Sequence, residues 1–148
     1  MVIGVPVSVI AAIAAASLWF SAPVASALQV AERLVLKESL ATFLAAATSP
    51  DRDSRLDWSS DGCSAPVVES TGRTFDFTDA CRRHDFGYRN IGRLENGRRW
   101  NARMRADVDA VFRRDMRAHC AKRPTVSRVA CRTWAEVYYR VVRERGGP

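Results

Sequence analysis

Residues 81–90 read Cys81-Arg82-Arg83-His84-Asp85-Phe86-Gly87-Tyr88-Arg89-Asn90, and they hold one of the chain's two histidines. On a helix, Cys81, His84, Asp85 and Tyr88 fall at i, i+3, i+4 and i+7 and share one stripe. A covalent anchor, a candidate general base, a candidate cation ligand and an aromatic hydroxyl then face the same way. Hydrophobic patterning alone does not account for that stripe.

Thr78 is placed to cap this helix, with Asp79 favoured in its first turn. The helix is expected to run to Tyr88 or Asn90, and Gly92 and Gly97 punctuate the linker that follows. Downstream, Arg98 to Cys120 reads as a second helix. At 100° per residue Asp109 falls with Ala102, Phe112, Met116 and Cys120, while Asp107 points nearly opposite, towards Met104 and Val111. Two apolar strips suggest a helix covered on two sides. The phase favours Asp109 as the inward carboxylate and leaves Asp107 open. Cys120 and Cys131 flank a short basic loop with Pro124, and Thr125 or Ser127 is placed to cap a last helix. Trp134, Val137, Tyr138 and Val141 give that helix an i, i+3, i+4, i+7 face.

Upstream, Asp51 to Thr74 is rich in Asp, Ser, Gly and Pro and reads as loop. It contains Leu56-Asp57-Trp58-Ser59-Ser60-Asp61-Gly62-Cys63. Acidic side chains and free carbonyls suit a hard cation such as calcium, although no EF-hand spacing is present. Gln29 to Ala47 reads as one packing helix that ends before Pro50. With no repeats and no convincing strands, the fold class is all-α.

Met1 to Ala27 carries no charge, has an apolar middle at Val7 to Phe20, and ends Ala25-Ser26-Ala27, a small-x-small cleavage signal. We read residues 1–27 as a signal peptide and residues 28–148 as one exported domain. Pro6, Pro23 and four serines weaken the alternative of a membrane anchor. In an oxidising compartment the four cysteines form two disulfides by default. The net charge is +7, and only Lys37 and Lys122 among the 23 basic residues are lysine. An arginine-rich surface suits anionic partners. The basic residues are dispersed without interleaved aromatics, which argues against nucleic acid.

An imidazole removes a proton from water near neutral pH if a partner fixes its tautomer. Asp85 points about 100° away from its neighbour His84 on a helix, so a carboxylate from a facing helix is the better partner. That leaves Asp85 to bind a cation near an ester carbonyl. Cys81-x-x-His84 has zinc-like spacing but no second pair accompanies it. No nucleophile elbow and no phosphate-binding glycine loop is present.

The segments Asp57-Trp58-Ser59-Ser60-Asp61-Gly62-Cys63 and Ala80-Cys81-Arg82-Arg83-His84-Asp85-Phe86-Gly87-Tyr88-Arg89-Asn90 resemble the secreted phospholipases A2 of the prokaryotic and fungal type. The later Asp109-x-x-Phe112-x-x-Asp115 and the Cys120…Cys131 hairpin also fit, so the resemblance covers Leu56 to Val141. It implies a small disulfide-stapled helical fold with two antiparallel catalytic helices, and calcium-dependent hydrolysis of the sn-2 ester of glycerophospholipids. By motif position it implies His84 as general base and Asp109 as its carboxylate. Asp85, Asp61 and the main-chain oxygen of Gly62 become the calcium ligands. The implied disulfides are Cys63–Cys81 and Cys120–Cys131. The expected partner is a phospholipid membrane or micelle surface, met by a monomer outside the cell. The alternative is a catalytically silent secreted module of the same fold that binds a membrane or a receptor. The presence of His84, Asp85, Asp61 and Asp109 together argues against silence.

Overall fold

The computed structural model describes residues 25–63 and 75–146. Among them are five α-helices and no strand, as the all-α reading requires: α1 (Ala27–Leu36), α2 (Leu40–Thr48), α3 (Thr78–Asn90), α4 (Ala102–Ala121) and α5 (Thr125–Arg145). A 3₁₀ turn, Leu94–Gly97, interrupts the linker between α3 and α4. No helix among the described residues is long and apolar enough to cross a membrane. The proposed signal segment lies outside them except for Ala25 to Ala27.

The single helix expected over Gln29 to Ala47 is two. Ser39 adopts an extended backbone and its side-chain oxygen accepts from Thr42 N at 3.0 Å. A serine that caps the second helix cannot also continue the first. The break turns the chain so that Leu34, Val35, Phe43 and Ala47 enter one core. Thr78 does not cap α3: it is the first helical residue, and its N–H donates to Asp76 Oδ1 at 3.0 Å. Helix α4 begins at Ala102 rather than Arg98, because Asn101 Oδ1 accepts from Met104 N at 2.9 Å and starts it there. Neither Thr125 nor Ser127 caps α5. It follows directly on Pro124, whose carbonyl accepts from the Ser127 hydroxyl at 3.2 Å. The most buried face of α5 is also rotated from the expected one. Cys131, Ala135 and Tyr138 are buried, whereas Trp134, Val137 and Val141 are only partly covered.

Helices α3 and α4 run antiparallel, since their side-chain partners pair in opposite sequence order: Arg83 with Asp115, His84 with Asp109, Tyr88 with Arg105. One core lies on the α1–α2 side, around Phe43, Phe86, Ile91, Met104 and Val108. The other lies on the α5 side, around Phe77, Phe112, Met116, Cys120 and Tyr138. The helix covered on two sides is thus α4. Arg83, almost wholly buried, forks onto Asp115 and also donates to Glu38 O at 2.9 Å, which ties α3 to α4 and to the α1–α2 turn. Such a pair adds register more than net stability, because both charges had to be stripped of water. The disulfides are those the resemblance implied: Cys63–Cys81 and Cys120–Cys131. The first fastens the Asp61 loop to the opening turn of α3, and the second closes the turn between α4 and α5.

Candidate active site

His84 projects from the middle of α3 towards α4, where its Nε2 lies 2.7 Å from Asp109 Oδ1. Of the two aspartates left open by the sequence, the fully buried Asp109 is the one that contacts His84, and Asp107 is exposed. The same Oδ1 accepts from the Tyr88 hydroxyl at 2.8 Å, and Oδ2 accepts from Arg143 Nη1 at 2.8 Å. Burial pushes the Asp109 carboxyl up, but hydrogen bonds from His84, Arg143 and Tyr88 outweigh it and hold the group below the ordinary carboxylate range. An ionised Asp109 is an acceptor only. The ring nitrogen facing it therefore carries the proton, and Nδ1 is left as the basic nitrogen. Tyr88 keeps its own proton: burial pushes its hydroxyl up to about 12. Its ring packs edge-on against Trp100 at 4.7 Å and tilted against His84 at 4.5 Å, while Phe112 closes on the imidazole at 4.7 Å.

Next to His84 on α3, Asp85 faces the loop that Cys63 pins down. Its Oδ2 accepts from the Ser60 hydroxyl at 2.5 Å. Burial pushes the half-buried Asp85 carboxyl up from the ordinary 3.8; the Ser60 contact opposes this and the nearness of Asp61 reinforces it. A carboxyl whose proton affinity is raised by burial and by a second carboxylate beside it is a site that a cation relieves. Gly62, at φ +71°, follows Asp61 and lines the same cavity. Two carboxylates beside a main-chain oxygen are a hard, all-oxygen donor set, so the residues present fit a calcium ion. Asp61 also takes Arg89 Nη2 at 3.0 Å, and a second Arg89 nitrogen donates to the Ser59 hydroxyl. Cys81, tied up in a disulfide, offers no thiolate, which removes the zinc reading. Among the described residues, no group of three or more His, Cys, Asp and Glu side chains converges on one point.

His84, Asp85, Asp61 and Gly62 line a cavity of about 400 Å³ whose other wall is largely apolar, from Phe112, Tyr138, Val141 and Val142, with Arg145 also lining it. A larger cavity of about 560 Å³ lies at the α1–α2 turn, lined by Arg83, Asp115 and the second histidine, His119. There the buried arginine and aspartate are committed to each other, and burial together with Arg123 pushes the His119 ring down. Size does not make it the reaction site. Among the described residues, the smaller cavity is the one where the His84–Asp109 pair meets the carboxylates of Asp61 and Asp85.

Of the predicted site residues, His84, Asp85, Asp61, Gly62, Cys63 and Cys81 line this smaller cavity and Asp109 stands behind His84, whereas Cys120 and Cys131 lie away from it in the α4–α5 core. Sequence reasoning missed Arg143, Arg105, Ser60 and Arg89. Arg105 had a local signal, since it stands four residues before Asp109 on one helix face and its Nε reaches to 3.8 Å. Arg143 had none, because its partner is 34 residues away.

A disulfide-stapled helical fold with a histidine–aspartate pair between two antiparallel helices is that of a phospholipase A2. The chain belongs to the prokaryotic phospholipase A2 family, whose model matches residues 31–146. It is 38% identical over 146 residues to a protein of Arthroderma benhamiae named secretory phospholipase A2, covering 94% of this chain and 95% of that one. It is 36% identical over 118 residues to a Beauveria bassiana protein of the same name, covering 80% of this chain and 58% of that one. The protein is thus a phospholipase A2 hydrolase.

Proposed function

We propose that the protein is a secreted, calcium-dependent phospholipase A2 that releases the sn-2 fatty acid of glycerophospholipids and leaves a lysophospholipid. The observation that carries this reading is the 2.7 Å contact of His84 Nε2 with Asp109 Oδ1, beside a cavity that also holds Asp85 and Asp61.

With Nε2–H committed to Asp109, His84 Nδ1 accepts a proton from a water as the water oxygen attacks the ester carbonyl carbon. Asp109 stabilises the imidazolium that forms. Collapse of the tetrahedral intermediate breaks the bond to the glycerol oxygen, and His84 returns the proton to that leaving oxygen. Asp61, Asp85 and the main-chain oxygen of Gly62 would hold a calcium ion, which supplies Lewis-acid stabilisation of charge developing on the carbonyl oxygen. Phe112, Tyr138, Val141 and Val142 offer an apolar wall for the acyl chain. The arginine-rich surface draws the monomer to anionic lipid, each basic group near the membrane contributing about 1 kcal/mol.

Export requires the segment before α1. A cut after Ala27 removes the Ser26 cap, whose oxygen accepts from Gln29 N at 3.1 Å. Losing such a cap costs about 1 kcal/mol, and the buried face of Leu28, Ala31, Leu34 and Val35 keeps α1 in place.

The test is fatty-acid release from phosphatidylcholine labelled separately at each acyl position, with calcium and with a chelator. Calcium-dependent release from sn-2 alone is expected. No release by folded, oxidised protein would return the reading to a silent membrane-binding module.

A further inference from the structure

The two oxygens of Asp109 have separate duties. Oδ1 takes His84 Nε2 and the Tyr88 hydroxyl, while Oδ2 takes Arg143 Nη1 at 2.8 Å, with Arg105 Nε at 3.8 Å. The carboxylate is fully buried, and Arg143 reaches it from the last turn of α5 with a third of its side chain still exposed. Arg105 binds the end of α5 as well. Its Nη2 donates to Val142 O at 3.0 Å and to the Arg143 carbonyl, and its Nε donates to the Tyr88 hydroxyl at 3.2 Å. Helix α4 thereby grips the carboxyl end of α5, where free carbonyls carry partial negative charge.

We infer that Arg143 is a positioning residue for the reaction: through Oδ2 it fixes the rotation of Asp109, and so the direction in which Oδ1 holds the His84 ring. The inference rests on the hydrolase reading given above. Rotation about the terminal torsion of an aspartate is broad and close to two-fold, so one-sided bonding at Oδ1 leaves the plane of the carboxylate loose. A second donor on Oδ2 pins it. A guanidinium is suited to this because it is permanently charged and directional, and it supplies a buried carboxylate with the counter-charge that burial demands. The same residues make the site depend on α5. A helix end that carries no reacting group supplies the anchor for one that orients the base.

The experiment compares Arg143→Met and Arg143→Lys, each in wild-type and Asp109→Asn backgrounds, by calcium-saturated hydrolysis of phosphatidylcholine vesicles and by the downfield ring N–H proton resonance of His84. In the wild-type background Arg143→Met is expected to lower kcat about 10- to 100-fold with KM unchanged, the loss typical of a misplaced reacting group. Arg143→Lys should recover part of it. In the Asp109→Asn background Arg143→Met should cost nothing further, because its route to His84 is already cut. The His84 resonance should broaden or vanish in Arg143→Met while circular dichroism stays unchanged. An equal loss of kcat in both backgrounds, or a loss confined to KM, overturns the inference. So does an undisturbed His84 resonance, whether or not any lipid is hydrolysed. Should Arg143→Met fail to fold, Arg143→Lys carries the same comparison. A wild-type protein that releases no fatty acid sinks the hydrolase reading, and the resonance still decides the role of Arg143.

Discussion

A side-chain carbon built on Gly87 would lie 2.9 Å from Cγ1 of Val108, closer than real contacts allow. Helix α4 therefore rests on a residue of α3 that must lack a side chain. Val108 immediately precedes Asp109, so this close approach helps bring the carboxylate to His84. Val108 is β-branched and cannot swing aside cheaply. Gly87→Ala is expected to destabilise the fold by about 1–3 kcal/mol, the range for overpacking, and to lower kcat without changing KM. Denaturant melts and kinetics check this together. Unchanged values of both would mean that the contact does not set the site.

Replacing His84 with Ala should abolish hydrolysis and leave the helical spectrum and the melting temperature close to those of the parent. Losses of the order of 10³-fold or more follow when a general base acting as a unit with its partner is deleted. Turnover retained within tenfold would take His84 out of the mechanism.

Asp109→Ala should cost far more activity than Asp107→Ala. The first strips a buried carboxylate from three donors, His84, Tyr88 and Arg143; the second alters an exposed side chain. The kcat of the two variants, measured side by side, decides it.

Calcium and pH should act on stability through opposite flanks of the ordinary carboxylate value, 3.8. Asp85 is raised in the folded protein, so the folded state holds its proton longer. Without calcium, stability should fall as pH rises from 3.8 through the raised value, and then level off. Asp109 is lowered, so its contribution is present above 3.8 and is lost as pH falls through its folded value. Urea melts of chelated protein across pH should show both slopes. Asp85→Asn should reduce the upper one, to which the buried Asp115, also raised by burial, still contributes, and should also weaken calcium binding by calorimetry. If calcium affinity survives that change, the cation site lies elsewhere.

The two disulfides should differ in what they protect. Each stabilises the fold by about 2–4 kcal/mol through the unfolded chain. Only Cys63–Cys81 holds the Asp61–Gly62 loop against α3. The paired Cys63→Ala and Cys81→Ala substitutions should lower calcium affinity, whereas removing Cys120–Cys131 should lower the melting temperature and leave calcium affinity intact. Calorimetric titration of both variants separates the two roles.

Much of the site was legible from local spacing. The stripe Cys81, His84, Asp85 and Tyr88 needed only the helical period, and all four residues do work on one side of α3. Helical phase also favoured Asp109 over Asp107, because a 20-residue helix keeps its register. Helix ends were less legible. Ser39, Asp76 and Asn101 start helices by side-chain bonds to backbone N–H groups two or three residues ahead. Several neighbouring residues had equal claims to that role. The apolar face of α5 was misjudged because Cys131 and Ala135 are small, and tight packing there depends on what faces them.

By itself the sequence determined an all-α chain, a histidine beside an aspartate on one helix, an acidic loop ahead of them and an even set of cysteines. Each of these is a property of residues a few positions apart. Only the tertiary structure decided that Arg143 reaches Asp109, that Arg105 grips the end of α5, that Arg83 is buried on Asp115, and that Asp61 and Asp85 crowd each other. Those contacts join residues 24 to 38 positions apart. Their geometry is set by how closely the helices pack, which a period of 3.6 residues does not encode.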